Sequence, residues 1–123
     1  MPRVVHFEIH VDDPDRAMKF YSSIFGWEFT HWGGGDLPYW IVKTGDEKQP
    51  GINGGLKKRI DPAGATYNTL DVPSVNEYLA KIEKGGGKTV VPKMPIPGVG
   101  WLAYCQDTEK NVFGIYEPDP TAK

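Results

Sequence analysis

Two histidines and a glutamate alternate along one short stretch near the start of the chain. His6, Glu8 and His10 are separated by the apolar residues Phe7 and Ile9, which is the period of a β-strand with one polar and one apolar face. Residues two apart on a strand lie about 6.6 Å apart on the same side, so neighbouring side chains could converge on one ion. Imidazole and carboxylate groups suit zinc, iron, nickel or manganese. They serve equally well to line a polar cavity or to hydrogen-bond each other.

A metal centre at this place would need ligands from elsewhere in the chain. About 13 Å of strand separates His6 from His10, so all three groups are not expected to bind one ion. The third histidine, His31, lies near the end of another predicted strand. Two or three candidate ligands do not define a metal site, and the pattern alone leaves both interpretations open.

Aromatic residues form a second group of candidates. The chain holds four tryptophans and six tyrosines, and aromatic side chains are typical of small-molecule pockets. Core packing and a subunit interface, where aromatics are also enriched, explain them equally well. The candidates are Trp32, Tyr39, Trp40, Tyr67, Trp101, Tyr104 and Tyr116.

Other motif-like fragments indicate little chemistry. Neither Gly33 to Gly35 nor Gly54-Gly55 has the context of a phosphate-binding loop. Cys105 is the lone cysteine, lies in the middle of a predicted strand and has no histidine near it in sequence, which favours a small buried apolar role. Three glycines in the predicted strand 51–56 indicate a bend or a close approach of another part of the protein.

These residues are positioned by a scheme of elements that occurs twice. An offset of 61 positions aligns Val11 with Val72, Gly26 with Gly87 and Trp40 with Trp101. Apolar alternation and turn residues predict β-α-β-β-β in each half. The predicted strands cover residues 4–11, 27–32, 38–44, 51–56, 65–72, 88–94, 100–106 and 111–117, with a loop at 33–36 and helices at 14–25 and 73–84.

The helix signals are local and specific. Asp13 is expected to cap the first helix, with Pro14 at its first position and Gly26 as its stop. Helical spacing predicts a buried stripe of Ala17, Phe20, Tyr21 and Ile24 in the first helix. The matching stripe of the second helix is Val75, Tyr78, Leu79 and Ile82.

Composition predicts one ordinary globular domain. Residues 1–123 suffice for a core of their own, and a net charge of −2 with a pI near 5.9 gives no electrostatic case for nucleic acid or an anionic membrane. No apolar stretch approaches the length of a membrane span. A single cysteine and no signal-peptide pattern suit a cytoplasmic protein.

The chain resembles the vicinal oxygen chelate superfamily, which includes glyoxalase I, bleomycin-resistance proteins and extradiol dioxygenases. The resemblance lies in the spacing His-x-x-x-x-Val-x-Asp from His6 to Asp13 and in residues 20–27, 50–55 and 97–104. It is strongest for the glyoxalase-like group of unassigned function. It implies an α+β fold in which repeat 1 (about 3–60) and repeat 2 (about 61–117) form a curled mixed sheet around a cavity, with helices outside.

The resemblance also implies where metal ligands would lie. Metal-dependent members take ligands from the first and last strand of each half. His6 matches the first of these positions, whereas Tyr67 and Gly114 stand at those of the second half and Gly54, Gly55 and Leu56 occupy the last strand of the first half. Glycine has no side chain to donate, and tyrosine is a poor substitute at neutral pH. One of the four positions is therefore kept.

The sequence thus predicts a small-molecule-binding protein without the usual metal of the superfamily and without another cofactor. The alternative is a metal-dependent lyase, isomerase or dioxygenase that uses His6 and a rebuilt ligand set, or a metal-free acid–base catalyst. A homodimer is expected from the resemblance. The predicted pocket residues are His6, Glu8, His10, Trp40, Asn53, Tyr67, Thr69, Trp101, Tyr104 and Tyr116.

Overall fold

The computed structural model describes residues 1–33 and 38–123, and most of the predicted loop 33–36 lies outside this range. The described residues form eight strands and two helices, in the predicted order. They are β1 (Val4–Val11), α1 (Pro14–Phe25), β2 (Glu28–His31), β3 (Tyr39–Lys43), β4 (Gly54–Lys58), β5 (Thr66–Asp71), α2 (Val75–Lys84), β6 (Lys88–Ile96), β7 (Gly100–Gln106) and β8 (Val112–Pro118). The predicted α+β class and the two β-α-β-β-β repeats are confirmed.

The chain divides into two compact units. His6–Thr66 form the N-terminal unit, and Met1–Val5 together with Tyr67–Lys123 form the C-terminal unit. The first residues join the C-terminal unit because Asp71 N donates a 3.1 Å hydrogen bond to the carbonyl of Arg3. Strand β1 therefore begins in one unit and continues in the other.

The N-terminal unit carries its four strands in the order β2-β3-β4-β1. Strand β1 runs parallel to β4, while β2–β3 and β3–β4 are antiparallel. In this register Glu8 lies opposite Gly55, and Ile41 lies opposite Gly55 from the other side. These three residues therefore share one face of the sheet, since paired residues point the same way.

The C-terminal unit repeats the arrangement with β6-β7-β8-β5. Strand β5 runs parallel to β8, with Thr69 opposite Gly114, and β7 is antiparallel to both β6 and β8. The register between β6 and β7 shifts twice, between Thr89 and Met94. Pro92 lies in this irregular stretch, and proline is tolerated in sheets mainly at bulges and edges.

Helix α1 begins at the predicted Pro14, whereas α2 begins at Val75, two residues after its predicted start. The Asp13 carboxylate accepts from Arg16 N, and Gly26 ends α1 in the left-handed conformation with φ 74°. Ser74 caps α2 by accepting from Glu77 N. Glu117 of β8 adds a second acceptor, for Val75 N at 2.9 Å, which ties the start of α2 to its sheet.

The two helices pack differently, which corrects one prediction. Val75 of α2 is fully buried, and Tyr78, Leu79 and Ile82 pack against a core of Val72, Ala103, Cys105 and Ile115. In α1 no residue is buried, and Phe20 and Ile24 are 54% and 56% exposed. The predicted buried stripe of α1 is therefore wrong for these two residues. Tyr21 stacks on Trp27, and Phe20 is rotated about 100° away from it around the helix.

Strand β4 also begins later than predicted. Gly51 has φ 143°, and Asn53 is exposed with its Oδ1 accepting from Thr44 N at 2.9 Å. Residues 51–53 thus close the connection from β3, and the paired strand starts at Gly54. Among the helices of the described residues, none has the length and apolar character to cross a membrane.

Truncation of Leu56 should separate the true core of the N-terminal unit from the exposed side of α1. Leu56 is fully buried, so Leu56→Ala is expected to lower the free energy of unfolding by about 2–5 kcal/mol. Ile24→Ala, at the half-exposed α1 position, should change it by about 0.5 kcal/mol or less. Urea unfolding followed by circular dichroism measures both. Equal losses would mean that α1 is buried as the sequence predicts.

Candidate functional site

Strand β1 separates polar from apolar chemistry by simple alternation. Phe7 and Ile9 point to the face that α1 covers, where the Phe7 ring lies 5.8 Å from that of Trp27 and Trp27 lies 4.9 Å from Tyr21. His6, Glu8 and His10 point to the opposite face, as predicted from the period of two. The candidate site therefore lies on the face of the N-terminal unit's sheet that α1 leaves uncovered.

Glu8 and His10 form a short buried pair. His10 Nε2 lies 2.7 Å from Glu8 Oε1, and the two side chains are only 9% and 8% exposed, respectively. A buried carboxylate is costly unless it is hydrogen-bonded or paired. The pair meets this requirement within one strand. Two of the three predicted residues therefore bind each other, which is one of the interpretations that the sequence leaves open.

Tyr39 of β3 joins the same face; it is one of the aromatic candidates but not one of the ten predicted pocket residues. Its Oη lies 3.4 Å from His6 Nε2, and a Cβ on Gly55 would overlap this hydroxyl. The phenol thus extends across β4 only because position 55 has no side chain. The glycines of β4 were the sequence signal for this contact, because glycine in a strand predicts that another part of the protein approaches closely. His6, Glu8, His10 and Tyr39 are called the β1 polar cluster below.

Burial keeps the phenol and His6 uncharged near neutral pH, and the Glu8 charge acts in opposite directions on the two groups. Burial lowers the pKa of His6, and the negative charge of Glu8 opposes this only in part. Burial raises the pKa of Tyr39 well above its usual range, and the Glu8 charge raises it further. The cluster therefore presents a protonated phenol beside a neutral imidazole.

The donors at the superfamily's metal positions do not match its ligand set. His6 faces the Tyr39 hydroxyl, and Gly54 and Gly55 offer no side-chain donor. In the C-terminal unit, Tyr67 and Gly114 stand at the corresponding positions, and a Cβ on Gly114 would lie 3.2 Å from Thr69 Oγ1. Within residues 1–33 and 38–123, no group of three or more His, Cys, Asp or Glu side chains is arranged to hold a metal ion.

The C-terminal unit brings four predicted residues to one face of its own sheet. Thr69, opposite Gly114, is 6% exposed, and the Tyr67 and Tyr104 rings meet edge to face at 6.1 Å. Tyr116 shares this face by register, but its hydroxyl donates to the carbonyl of Val99 at 3.1 Å. Its contact with Val99 ties the phenol to the β6–β7 turn.

The remaining predicted pocket residues lie elsewhere. Trp40 is paired with Leu56 on the α1 side of its sheet, with its ring 5.3 Å from His31. Trp101 packs on the α2 side, donates from Nε1 to Asp119 Oδ2 at 3.0 Å and lies beneath Lys93 Nζ. The two repeat-related tryptophans therefore occupy equivalent, helix-side places. Asn53 holds the β3–β4 connection.

Two surface clefts are lined by other residues. One runs along the start of α1 and is lined by Arg16, Phe20, Tyr21 and Arg59, among others. The second is formed by the N-terminal residues with Asp71, Tyr78 and Glu117. None of the ten predicted pocket residues lines either cleft.

Comparisons with known proteins connect this arrangement to a family. Residues 3–32 match the family described as bleomycin resistance protein-like N-terminal. A glyoxylase-like domain-containing protein of Didymella fabae is 30% identical over 114 residues, which cover 88% of each chain. The chain belongs to the glyoxalase-like family. This places it in the vicinal oxygen chelate superfamily, as the sequence resemblance implies.

Further similarities concern a second sequence and two solved structures. A Mycobacterium tuberculosis protein that carries the name glyoxylase CFP32 is 26% identical over 116 residues, and the match spans 89% of this chain but only 43% of CFP32. The crystal structure of methylmalonyl-CoA epimerase from the same organism superposes with a TM-score of 0.69 at 15% identity, covering 94% of this chain and 87% of the epimerase.

A Streptomyces coelicolor methylmalonyl-CoA epimerase in complex with 2-nitronate-propionyl-CoA has the same TM-score at 16% identity. The match covers 98% of this chain and 97% of the epimerase. At such identities the two epimerase structures establish the fold of this glyoxalase-like chain and not its activity.

The lowered pKa of His6 predicts a pH-dependent stability. The unfolded chain binds a proton on His6 near the ordinary pKa of 6.5, whereas the folded chain binds it only at lower pH. The unfolded state thus holds more protons, and the free energy of unfolding rises with pH across this window. The His6 contribution is complete above about pH 6.5 and is lost as the pH falls through the folded pKa.

The measurement is urea unfolding of the wild type and His6→Gln at several pH values between about 5 and 7.5. Glutamine does not titrate, so the variant should show a shallower fall of stability towards acid. Identical pH profiles for the two proteins would contradict the assignment.

Gly55 should be intolerant of any side chain while Tyr39 is present. Gly55→Ala is expected to displace the Tyr39 ring and destabilise the protein by about 1–3 kcal/mol. Gly114→Ala is the matched control in the other repeat, where the nearest atom is 3.2 Å away, and should cost less. In a double-mutant cycle, Tyr39→Ala should remove most of the Gly55→Ala penalty. Additive effects would show that the phenol does not occupy this space.

Proposed function

We propose that this glyoxalase-like protein binds a small molecule at the β1 polar cluster, without the metal of the superfamily. The observation that carries the proposal is the buried Glu8–His10 pair beside the Tyr39–His6 contact, on the sheet face that α1 does not cover. If these positions served packing alone, hydrophobic side chains would fill them at a lower cost in free energy, because burying ionisable groups removes them from water and is rare. Perturbed titratable groups gathered on one face are typical of functional sites.

Within residues 1–33 and 38–123, the lack of a suitable set of donors supports the metal-free part of the proposal. A divalent transition-metal site needs three or four ligands from nitrogen, sulfur or carboxylate groups. His6 is the one residue kept at the superfamily positions, and Glu8 and His10 are engaged with each other at 2.7 Å. The Tyr39 phenol occupies the space above Gly55. Hydrogen bonding is therefore the chemistry that this cluster offers to a ligand.

The comparisons are consistent with small-molecule binding. The relatives identified by sequence carry glyoxylase names, and two of the similar methylmalonyl-CoA epimerase structures hold methylmalonyl-CoA or 2-nitronate-propionyl-CoA. In the C-terminal unit, the Tyr67 and Tyr104 rings meet edge to face on the sheet face that carries the buried Thr69, and we propose this face as a small-molecule contact of that unit by itself. Trp40, Asn53, Trp101 and Tyr116 have structural contacts and are not carried into the proposal. A homodimer and a cytoplasmic location stay predictions.

The second candidate is metal-free acid–base catalysis. A carboxylate 2.7 Å from an imidazole is the arrangement that moves a proton in many enzymes. Glu8 would accept or return the proton through His10, and Tyr39 would hold the substrate by its hydroxyl. Like the first candidate function, this one requires that a small molecule binds at the β1 polar cluster. It differs in that the bound molecule is then converted to a product.

Metal content and ligand-induced stabilisation together test the proposal. Protein purified without an affinity tag should contain no transition metal at a near-equal ratio to chain by elemental analysis. Bleomycin and methylmalonyl-CoA are suitable first probes, because relatives are described by these compounds. A bound probe should raise the melting temperature of the wild type and of the control Tyr78→Phe, and raise that of Glu8→Gln less.

Two results would contradict the proposal. A stoichiometric metal that disappears in His6→Ala would favour the metal-dependent lyase, isomerase or dioxygenase. If neither these probes nor a broader small-molecule library raises the melting temperature, the proposed binding function is contradicted.

A further inference from the structure

We propose that the Tyr39 hydroxyl is the specificity-determining group of this site and selects ligands that present a neutral carbonyl oxygen. The inference rests on the proposed binding function and adds the chemical class of the ligand. It follows from the lengths of two hydrogen bonds, from the support of the Tyr39 ring and from the charge beside it.

The two polar contacts of the cluster differ in strength. The Glu8–His10 contact of 2.7 Å is short and charge-assisted, whereas the Tyr39 Oη–His6 Nε2 distance of 3.4 Å lies at the limit of a hydrogen bond. Breaking the long Tyr39–His6 contact therefore costs little free energy. A ligand oxygen at about 2.8 Å from the phenol would be a better partner than His6. Among the groups of the cluster, the Tyr39 hydroxyl is therefore the one that can exchange its present hydrogen bond for one to a ligand at the lowest cost in free energy.

The phenol is nevertheless held in place. The Tyr39 ring packs edge to face on Trp32 with centroids 5.9 Å apart. Its hydroxyl end lies over Gly55, where a larger residue would expel it. A donor that is fixed before the ligand arrives loses little conformational entropy on binding. The position of the hydroxyl oxygen is thus set by the fold, while its hydrogen can rotate from His6 towards a ligand.

The neighbouring charge decides which oxygen is accepted. Glu8 is buried, with its side chain 8% exposed, and lies on the same strand face as His6. A negative charge in a partly buried site repels a second one over several ångströms. Burial raises the pKa of the Tyr39 phenol, and the Glu8 charge raises it further. Carboxylate, phosphate and enolate oxygens are therefore disfavoured, and the neutral oxygen of a ketone, ester, thioester or amide fits.

Two matched sets of small probes test this assignment. Each contains a ketone, a hydrocarbon of the same shape and a carboxylate. The first set is acetophenone, isopropylbenzene and benzoate, and the second is the corresponding cyclohexyl series. Binding is followed by shifts of amide resonances near His6 in the NMR spectrum, with the carbonyl carbon of the ketone labelled with ¹³C.

The ketone should bind best in each set, with a downfield shift of its carbonyl carbon. Tyr39→Phe should weaken ketone binding by about two- to tenfold, abolish that shift and leave the hydrocarbon unchanged. Tyr78→Phe is the matched control and should behave as the wild type. Glu8→Gln removes the negative charge and should raise benzoate affinity relative to acetophenone, a change that a merely structural role of Tyr39 would not produce.

The outcomes separate this inference from the function on which it rests. Binding near His6 that is equal for ketone and hydrocarbon, or unaffected by Tyr39→Phe, overturns the role of Tyr39 while small-molecule binding stands. Tighter binding of benzoate than acetophenone by the wild type overturns the neutral-carbonyl class. No shift near His6 with any probe of either set overturns both the inference and the binding function of the cluster.

Discussion

The register between β1 and β4 is the constraint on which the candidate site depends. Parallel pairing places Glu8 opposite Gly55, so a buried carboxylate lies beside a position with no side chain. The antiparallel β3 then brings Tyr39 across that gap. A slip of one residue would turn every side chain of β1 to the other face. It would place Phe7 and Ile9 where Glu8 and His10 now pair, and the cluster would not exist.

The electrostatics of the cluster follow from this packing. Glu8 is satisfied by His10 at 2.7 Å, and its charge is felt by both other members. At His6, the Glu8 charge raises the pKa and opposes the lowering that burial causes. At Tyr39, it raises the pKa in the same direction as burial. Burial, with the Glu8 charge adding to its effect, raises the pKa of Tyr39 and keeps the phenol protonated. The site can donate a hydrogen bond through Tyr39 and is poorly suited to stabilise another negative charge.

The two repeats share their scaffold but differ in the chemistry of one sheet face. In both, the tryptophan at the repeat-related position lies on the helix side, as Trp40 and Trp101 show. The opposite face carries imidazole and carboxylate in the N-terminal unit and a Tyr67–Tyr104 ring pair in the C-terminal unit. A duplicated unit can thus keep its helix-side packing while its other face changes, because the two faces of a strand alternate independently.

The sequence by itself determined what depends on neighbours within a few residues. The alternation around Glu8, the caps at Asp13 and Gly26 and the repeat of β-α-β-β-β are all local patterns, which follow from backbone geometry and capping. The family followed from the same patterns. Only the tertiary structure determined which faces of the strands and helices contact each other. Tyr39 reaches His6 across 33 positions of sequence, Trp40 and Trp101 turn to the helices, and Phe20 stays exposed. Such outcomes depend on strand register and helix rotation, which are set by contacts between distant segments.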